Sequence, residues 1–84
     1  MTKREDLFKR ISIDPNVCFG RPCVRGTRIW VSLIVDNFAE GVPEAEILEA
    51  YPQLQLEDIR AALAFAAEMT RERIIPLPPE PAKP

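Results

Sequence analysis

Apolar residues recur along this chain with two different periods. From Arg10 to Asp14 apolar and polar residues alternate (Arg10-Ile11-Ser12-Ile13-Asp14), the period-two pattern of a short strand with one buried face. Asp14-Pro15-Asn16 predicts a turn, because proline presets φ and the Asp and Asn side chains bond their own backbone. Val17–Gly20 leads into Pro22-Cys23-Val24-Arg25, a second extended piece. Proline brings no N–H to a ladder, so that piece belongs at a sheet edge or a strand start. Gly26 can take positive φ and release the chain into a turn. Residues 10–30 therefore read as a small β-hairpin-like unit. The polar stretch Met1–Lys9, with Leu7-Phe8 as its sizeable apolar pair, predicts a short helical turn or a frayed arm.

From Val31 the period lengthens. Val31, Ile34, Val35, Phe38 and Val42 fall on one face at i, i+3, i+4, i+7 spacing and predict a helix over Val31–Glu40. Gly41 fits the position just past its end, where positive φ closes a helix at little cost. Trp30 stands immediately before the first turn. A second helix is expected over Pro43–Ala50, with proline at its first position and Ile47, Leu48 and Tyr51 inward. Tyr51-Pro52 ends it, since a residue before proline is pushed out of the helical region. The longest helix runs from Leu56 to Arg73, with Glu57 and Asp58 in its first turn and Arg71 and Arg73 in its last, the polarity that suits the macrodipole. Its predicted core stripe is Leu56, Ile59, Leu63, Ala66 and Thr70. A second apolar line, Ala62, Phe65 and Met69, is then spare and available to another subunit. The tail Ile74–Pro84 holds five of the nine prolines and tends towards extended polyproline conformation. The expected organisation is one domain over 1–75 (β element 10–30, helices 31–73) and a tail over 76–84.

Eighty-four residues leave no room for a second core, and so small a domain has a thin stability margin. Oligomerisation, as a homodimer or higher homo-oligomer, is the natural supplement. Charges interrupt every apolar run, so no membrane span is expected, and Met1–Arg10 lacks the apolar region of a signal peptide. A cytoplasmic chain with reduced thiols is the expectation. Residues 1–30 hold seven basic and three acidic side chains, net +4, whereas the remainder is net −6. Any polyanion would meet the first third first.

The chain has no histidine, which removes the commonest general base and metal ligand, and Ser12 and Ser32 have no obvious activating partner. Neither catalysis nor a cofactor is expected. Cys18 and Cys23 could supply half of a zinc site; no further cysteine or histidine exists in the chain to complete four ligands, although a dimer would reach that count, and the preferred reading is small buried hydrophobes. Gly20…Gly26-Thr27 lacks the Gly-Lys-Ser/Thr ending of a phosphate loop. Arg21, Arg25 and Arg28 suit phosphate or carboxylate recognition, and equally suit edge protection of a solvated hairpin. Both readings stand. Three successive helices also give the outline of a helix-turn-helix, but Glu57 and Asp58 at the start of the last one would face phosphates unfavourably. Only Arg60, with Gln53 and Gln55 nearby, is left to read base edges, so charge does not support direct DNA readout.

One resemblance joins these pieces. Ile13-Asp14-Pro15, the run Gly20-Arg21-Pro22-Cys23-Val24-Arg25-Gly26-Thr27-Arg28-Ile29, Glu40-Gly41, Ile47-Leu48-Glu49-Ala50-Tyr51-Pro52 and Leu56-Glu57-Asp58-Ile59-Arg60-Ala61-Ala62-Leu63 occur in this order over about residues 10–67. They resemble the bacterial family known as domain of unknown function 433. The resemblance implies a mainly α fold: a three-helix, homeodomain-like helix-turn-helix bundle behind a short N-terminal β-hairpin or β-arm, followed here by the proline-rich tail. It further implies an antitoxin of a type II toxin–antitoxin pair, binding a PIN-like ribonuclease toxin and its own promoter DNA. On that reading Arg21, Arg25, Arg28 and Arg60 contact DNA, and Phe65, Met69, Ile74, Ile75 and Leu77 contact the toxin. A stand-alone DNA-binding regulator and a structural oligomerisation module are the alternatives. The chain departs from the family at Gln55, where members often place a threonine cap, and at Pro43, where Ser or Thr is frequent.

Overall fold

The period-two stretch yields a strand of only two residues. In the computed structural model, which describes residues 4–71, β1 (Ile11–Ser12) pairs antiparallel with β2 (Cys23–Val24), Ile11 opposite Val24 and Ser12 opposite Cys23. Ile11 and Val24 bury their side chains, whereas Ile13 is 59% exposed. The reason is local. Asp14 already starts the turn, its Oδ1 accepting the Asn16 N–H at 2.8 Å and its carbonyl accepting the Val17 N–H at 2.9 Å. The tail residues Ile74, Ile75 and Leu77 lie outside the described residues.

The polar arm folds into a short helix, α1 (Arg4–Phe8), so the described fold is mainly helical with four helices rather than three, plus the two-stranded sheet. Leu7 is buried and Arg4 Nη1 donates to the Ala64 carbonyl at 3.3 Å. The second helix, α2 (Val31–Ala39), ends as its sequence predicts. Gly41 has φ +85°, its N–H bonds the Phe38 carbonyl (3.0 Å), and the Val42 N–H bonds the Asn37 carbonyl (2.9 Å). That pair of bonds is a Schellman closure, and it leaves Val42 against the core. In α3 (Glu44–Ala50), Pro43 stands one position earlier than predicted, as the extended residue before the first turn (ψ 154°). Tyr51, before Pro52, leaves the helical region at ψ 78°.

The last helix, α4 (Leu56–Arg71), corrects the predicted stripe. Its buried residues are Asp58, Ile59, Ala61, Ala62 and Ala64; Leu63 is 39% exposed and Thr70 is exposed. Ala62 and Phe65, read as the spare line, face the core. The cause is tertiary: α1 and α2 both pack against α4, and small alanine side chains let them approach. Leu63 stays partly open to solvent beside Arg4 and Leu7 of α1. Ile34, Ile47 and Ile59 are fully buried at the centre, each stabilising the fold by about 1.5–3 kcal/mol relative to exposure. No helix among the described residues is long and apolar enough to cross a membrane.

Candidate interaction surfaces

The densest part of the sequence folds into two tight turns. After Val24, the Thr27 N–H returns to the Val24 carbonyl at 3.0 Å, with Gly26 at φ +83° as the third residue of the turn. The Thr27 hydroxyl donates to the same carbonyl (2.8 Å) and accepts the Ile29 N–H (3.0 Å). Gly26-Thr27 is thus occupied with its own backbone. The other turn is stranger. Cys18, Phe19 and Gly20 all take left-handed φ, +53°, +56° and +78°. Two non-glycine residues there cost on the order of 1–2 kcal/mol each. Bonds from the Gly20 N–H to the Val17 carbonyl (3.1 Å) and the Arg21 N–H to the Cys18 carbonyl (3.0 Å) hold the turn, and Cys18 is buried beneath it. The Phe19 side chain stands 91% exposed.

The four arginines do not form one patch. Arg25 is consumed internally: Nε donates to the Lys9 carbonyl (2.7 Å) and Nη2 to the Ile11 carbonyl (3.0 Å), tying the α1–β1 junction to the hairpin. Arg21 lies over the Trp30 ring, 4.8 Å from its centroid. Arg28 is exposed and makes no side-chain hydrogen bond or ion pair among the described residues. Arg60, also exposed, lines a separate cavity with Arg4, Leu7 and Leu63. Asp58 does not point at solvent at all. Its Oδ1 pairs with Arg10 Nη1 at 3.0 Å and its Oδ2 accepts the Gln55 N–H at 2.8 Å.

Cys18 and Cys23 are both free thiols and both buried. Cys23 Sγ donates to the Thr27 carbonyl (3.6 Å) and lies 3.5 Å from Ser12 Oγ. Burial pushes the Cys18 thiol above its ordinary value of 9.0, the neighbouring Cys23 thiol adds to the rise, and the Trp30 side chain and Arg28 charge oppose it. Among the described residues no cluster of three or more Cys, Asp or Glu side chains is placed to hold a metal ion.

Phe65 and Met69 do come together. With Val31 and Val35 of α2 and with Arg21 and Pro22 they line a mostly apolar groove of about 320 Å³. Phe65 is half-buried against the core and Met69 is 42% exposed. Sequence reading placed this line on the spare face of α4; it is instead the floor of a groove shared with α2. Phe19 carried only a thin signal, because Val17-Cys18-Phe19, an apolar run between a turn and a glycine, has no period to read, whereas Ile13 belongs by period to the strand's buried face and is exposed instead.

The comparisons with known proteins bear on the same segments. The sequence profile described as "Protein of unknown function (DUF433)" matches residues 11–66, which run from β1 into α4. The chain belongs to the DUF433 family. This DUF433 chain is 38% identical over 56 residues to the "Uncharacterized protein y4eO" of Sinorhizobium fredii (strain NBRC 101917 / NGR234), a match covering 67% of this chain and 25% of that protein. The fold is similar to the crystal structure of a DUF433 member from Anabaena variabilis, with a TM-score of 0.70 at 36% identity over 75% of this chain and 62% of the other. The chain therefore spans a quarter of the curated relative and less than two thirds of the solved one. The exposed Phe19, the Arg21–Trp30 stack and the α2–α4 groove all lie on DUF433-matched residues, apart from the groove's Met69.

Proposed function

We propose that this DUF433 chain is a non-enzymatic binding protein of the antitoxin type, homo-oligomeric, which holds a PIN-like ribonuclease toxin. The observation that carries the reading is the open groove between α2 and α4, where Phe65 and Met69 meet Val31 and Val35. A groove of this composition suits an apolar helix or strand of a protein partner. The tail residues Ile74, Ile75 and Leu77 follow directly after α4 in sequence and would extend the same contact. Co-expression with the product of the adjacent gene tests it. The wild-type chain is expected to copurify with that product, and Met69→Asp, at an exposed position, to lose it without a change in melting temperature. No copurification, or retention by the variant, overturns the reading.

The DNA-binding reading, through a homeodomain-like α3–α4 unit, has support of its own. Asp58 is turned inward, which removes one of the two anionic groups expected to oppose phosphates, and Arg60 on α4 is exposed and able to meet them. A mobility shift on the promoter fragment should weaken with salt, and Arg60→Ala should reduce the salt slope by about 1. A shift that is insensitive to salt, or absent at low salt, rules this contact out.

A further inference from the structure

The hairpin unit carries two costs: left-handed φ at Cys18 and Phe19, which two backbone bonds and the burial of Cys18 offset in part, and a phenyl ring left 91% exposed. The other three phenylalanines, Phe8, Phe38 and Phe65, all pack against the core. Backbone held in such a conformation points to a function for what it displays. What it displays is an aromatic knob, with Ile13, 59% exposed, on the same unit.

The surroundings say what the knob fits. Pro15, Cys18, Phe19, Arg28 and Trp30 border a recess of about 290 Å³. An apolar cavity of roughly 150 Å³ admits benzene, so the recess has room for a phenyl ring. Arg28 also borders a second, larger cavity together with Ile13 and Asp14. Asp14 and Arg28 are both exposed, and neither forms an ion pair among the described residues. Knob beside recess, and acid beside base, make a surface that complements itself. About a two-fold axis each contact of i with j is repeated as j with i.

We infer that the hairpin face binds a second copy of this chain across a two-fold axis, Phe19 of each copy entering the recess beside Trp30 of the other and Arg28 of each meeting Asp14 of the other. The recess and the α2–α4 groove share no lining residue, and they adjoin where Arg21 of the groove lies over Trp30 of the recess. The aromatic exchange supplies the burial and the reciprocal ion pairs set the register.

Analytical ultracentrifugation of the full chain over a concentration series tests this, with the single Trp30 as a fluorescence reporter of the same surface. The wild-type chain should dimerise, with Trp30 emission changing on dilution. Phe19→Asn removes the ring while keeping a residue type that tolerates left-handed φ, so at concentrations where both chains are monomeric it should melt no lower than wild type, yet it should raise the dimer Kd about a hundredfold or more. Arg28→Glu, at a site without internal bonds, should raise Kd at least about tenfold and reverse its salt dependence. A wild-type chain that stays monomeric at millimolar concentration overturns the inference. So does Phe19→Asn dimerising as tightly as wild type, or Phe19 being covered only in complex with another protein.

Discussion

Arg10 and Asp58 join the two ends of the domain: Nη1 of the first lies 3.0 Å from Oδ1 of the second, across 48 positions of sequence. The other carboxylate oxygen closes the start of α4. Gln55, whose carbonyl accepts the first helical bonds, has its own N–H bonded by Asp58 three residues on. This is the return half of a capping box, with Asp in the Glu position. The side chain of Gln55 does not cap; its Oε1 accepts from Arg10 at 3.4 Å. Asp58→Ala removes a helix cap and a charge-assisted bond and should cost about 2 kcal/mol, lowering Tm by roughly 10 °C. A double-mutant cycle between Arg10→Met and Asp58→Asn should give a coupling of about 1 kcal/mol. Additive single effects would show that the bridge does not form in solution.

Arg25 and Arg28 make opposite predictions although only two residues lie between them. Arg25→Met strips two bonds that hold the Lys9 and Ile11 carbonyls, at an expected cost of about 1–2 kcal/mol. Arg28→Ala should stay within about 0.5 kcal/mol of wild type in urea unfolding. The reverse order of midpoints would refute the assignment of structural and free arginine.

Gly41 isolates a conformational effect. Its φ is +85° and a Cβ there would meet nothing within 4 Å. Gly41→Ala should therefore cost about 1–2 kcal/mol from the left-handed backbone alone, and Gly41→Asn less. Equal loss in both variants would point to something other than φ.

The raised Cys18 thiol makes stability depend on alkaline pH. The folded state holds this proton more tightly than the unfolded state. Its contribution is complete below the ordinary value of 9.0 and declines as pH climbs through the higher folded value. Urea midpoints between pH 8 and 10.5 should fall for wild type and fall less for Cys18→Ala. At neutral pH Cys18 should also react with iodoacetamide more slowly than an exposed thiol. Equal slopes, or fast alkylation, would contradict the burial.

Ending the chain after Arg73 tests the tail. Every core residue of the described fold lies between Leu7 and Ala64, so Tm should stay within a few degrees. Binding to a protein partner should weaken. Unchanged affinity would assign the tail no part in it.

Much of this fold was readable because its signals are short-ranged. The Asp14 turn, the positive φ at Gly26 and Gly41, and the exit before Pro52 each depend on a few neighbouring atoms, and each stands close to where the residue pattern puts it. The inward face of α2 followed from four residues at one period. In α4 the same reasoning chose the wrong stripe. A helix with alanine at 61, 62, 64, 66 and 67 is apolar nearly all round, and its period alone cannot rank the faces. Packing of α1 and α2 ranked them, placing Asp58 inside and Leu63 outside.

The hairpin arginines divide in the same way. Residue type established that three planar cations lie within eight positions. Only the folded chain decided that one binds carbonyls, one stacks on Trp30 and one is left to solvent, because a guanidinium takes its role from whatever the fold brings within about 3–5 Å. Local backbone preference and hydrophobic period thus set the elements and their ends from sequence alone. The choice of helix face, the partners of each charge and the exposure of Phe19 came from contacts between segments far apart in the chain, and local sequence carries no record of those distances.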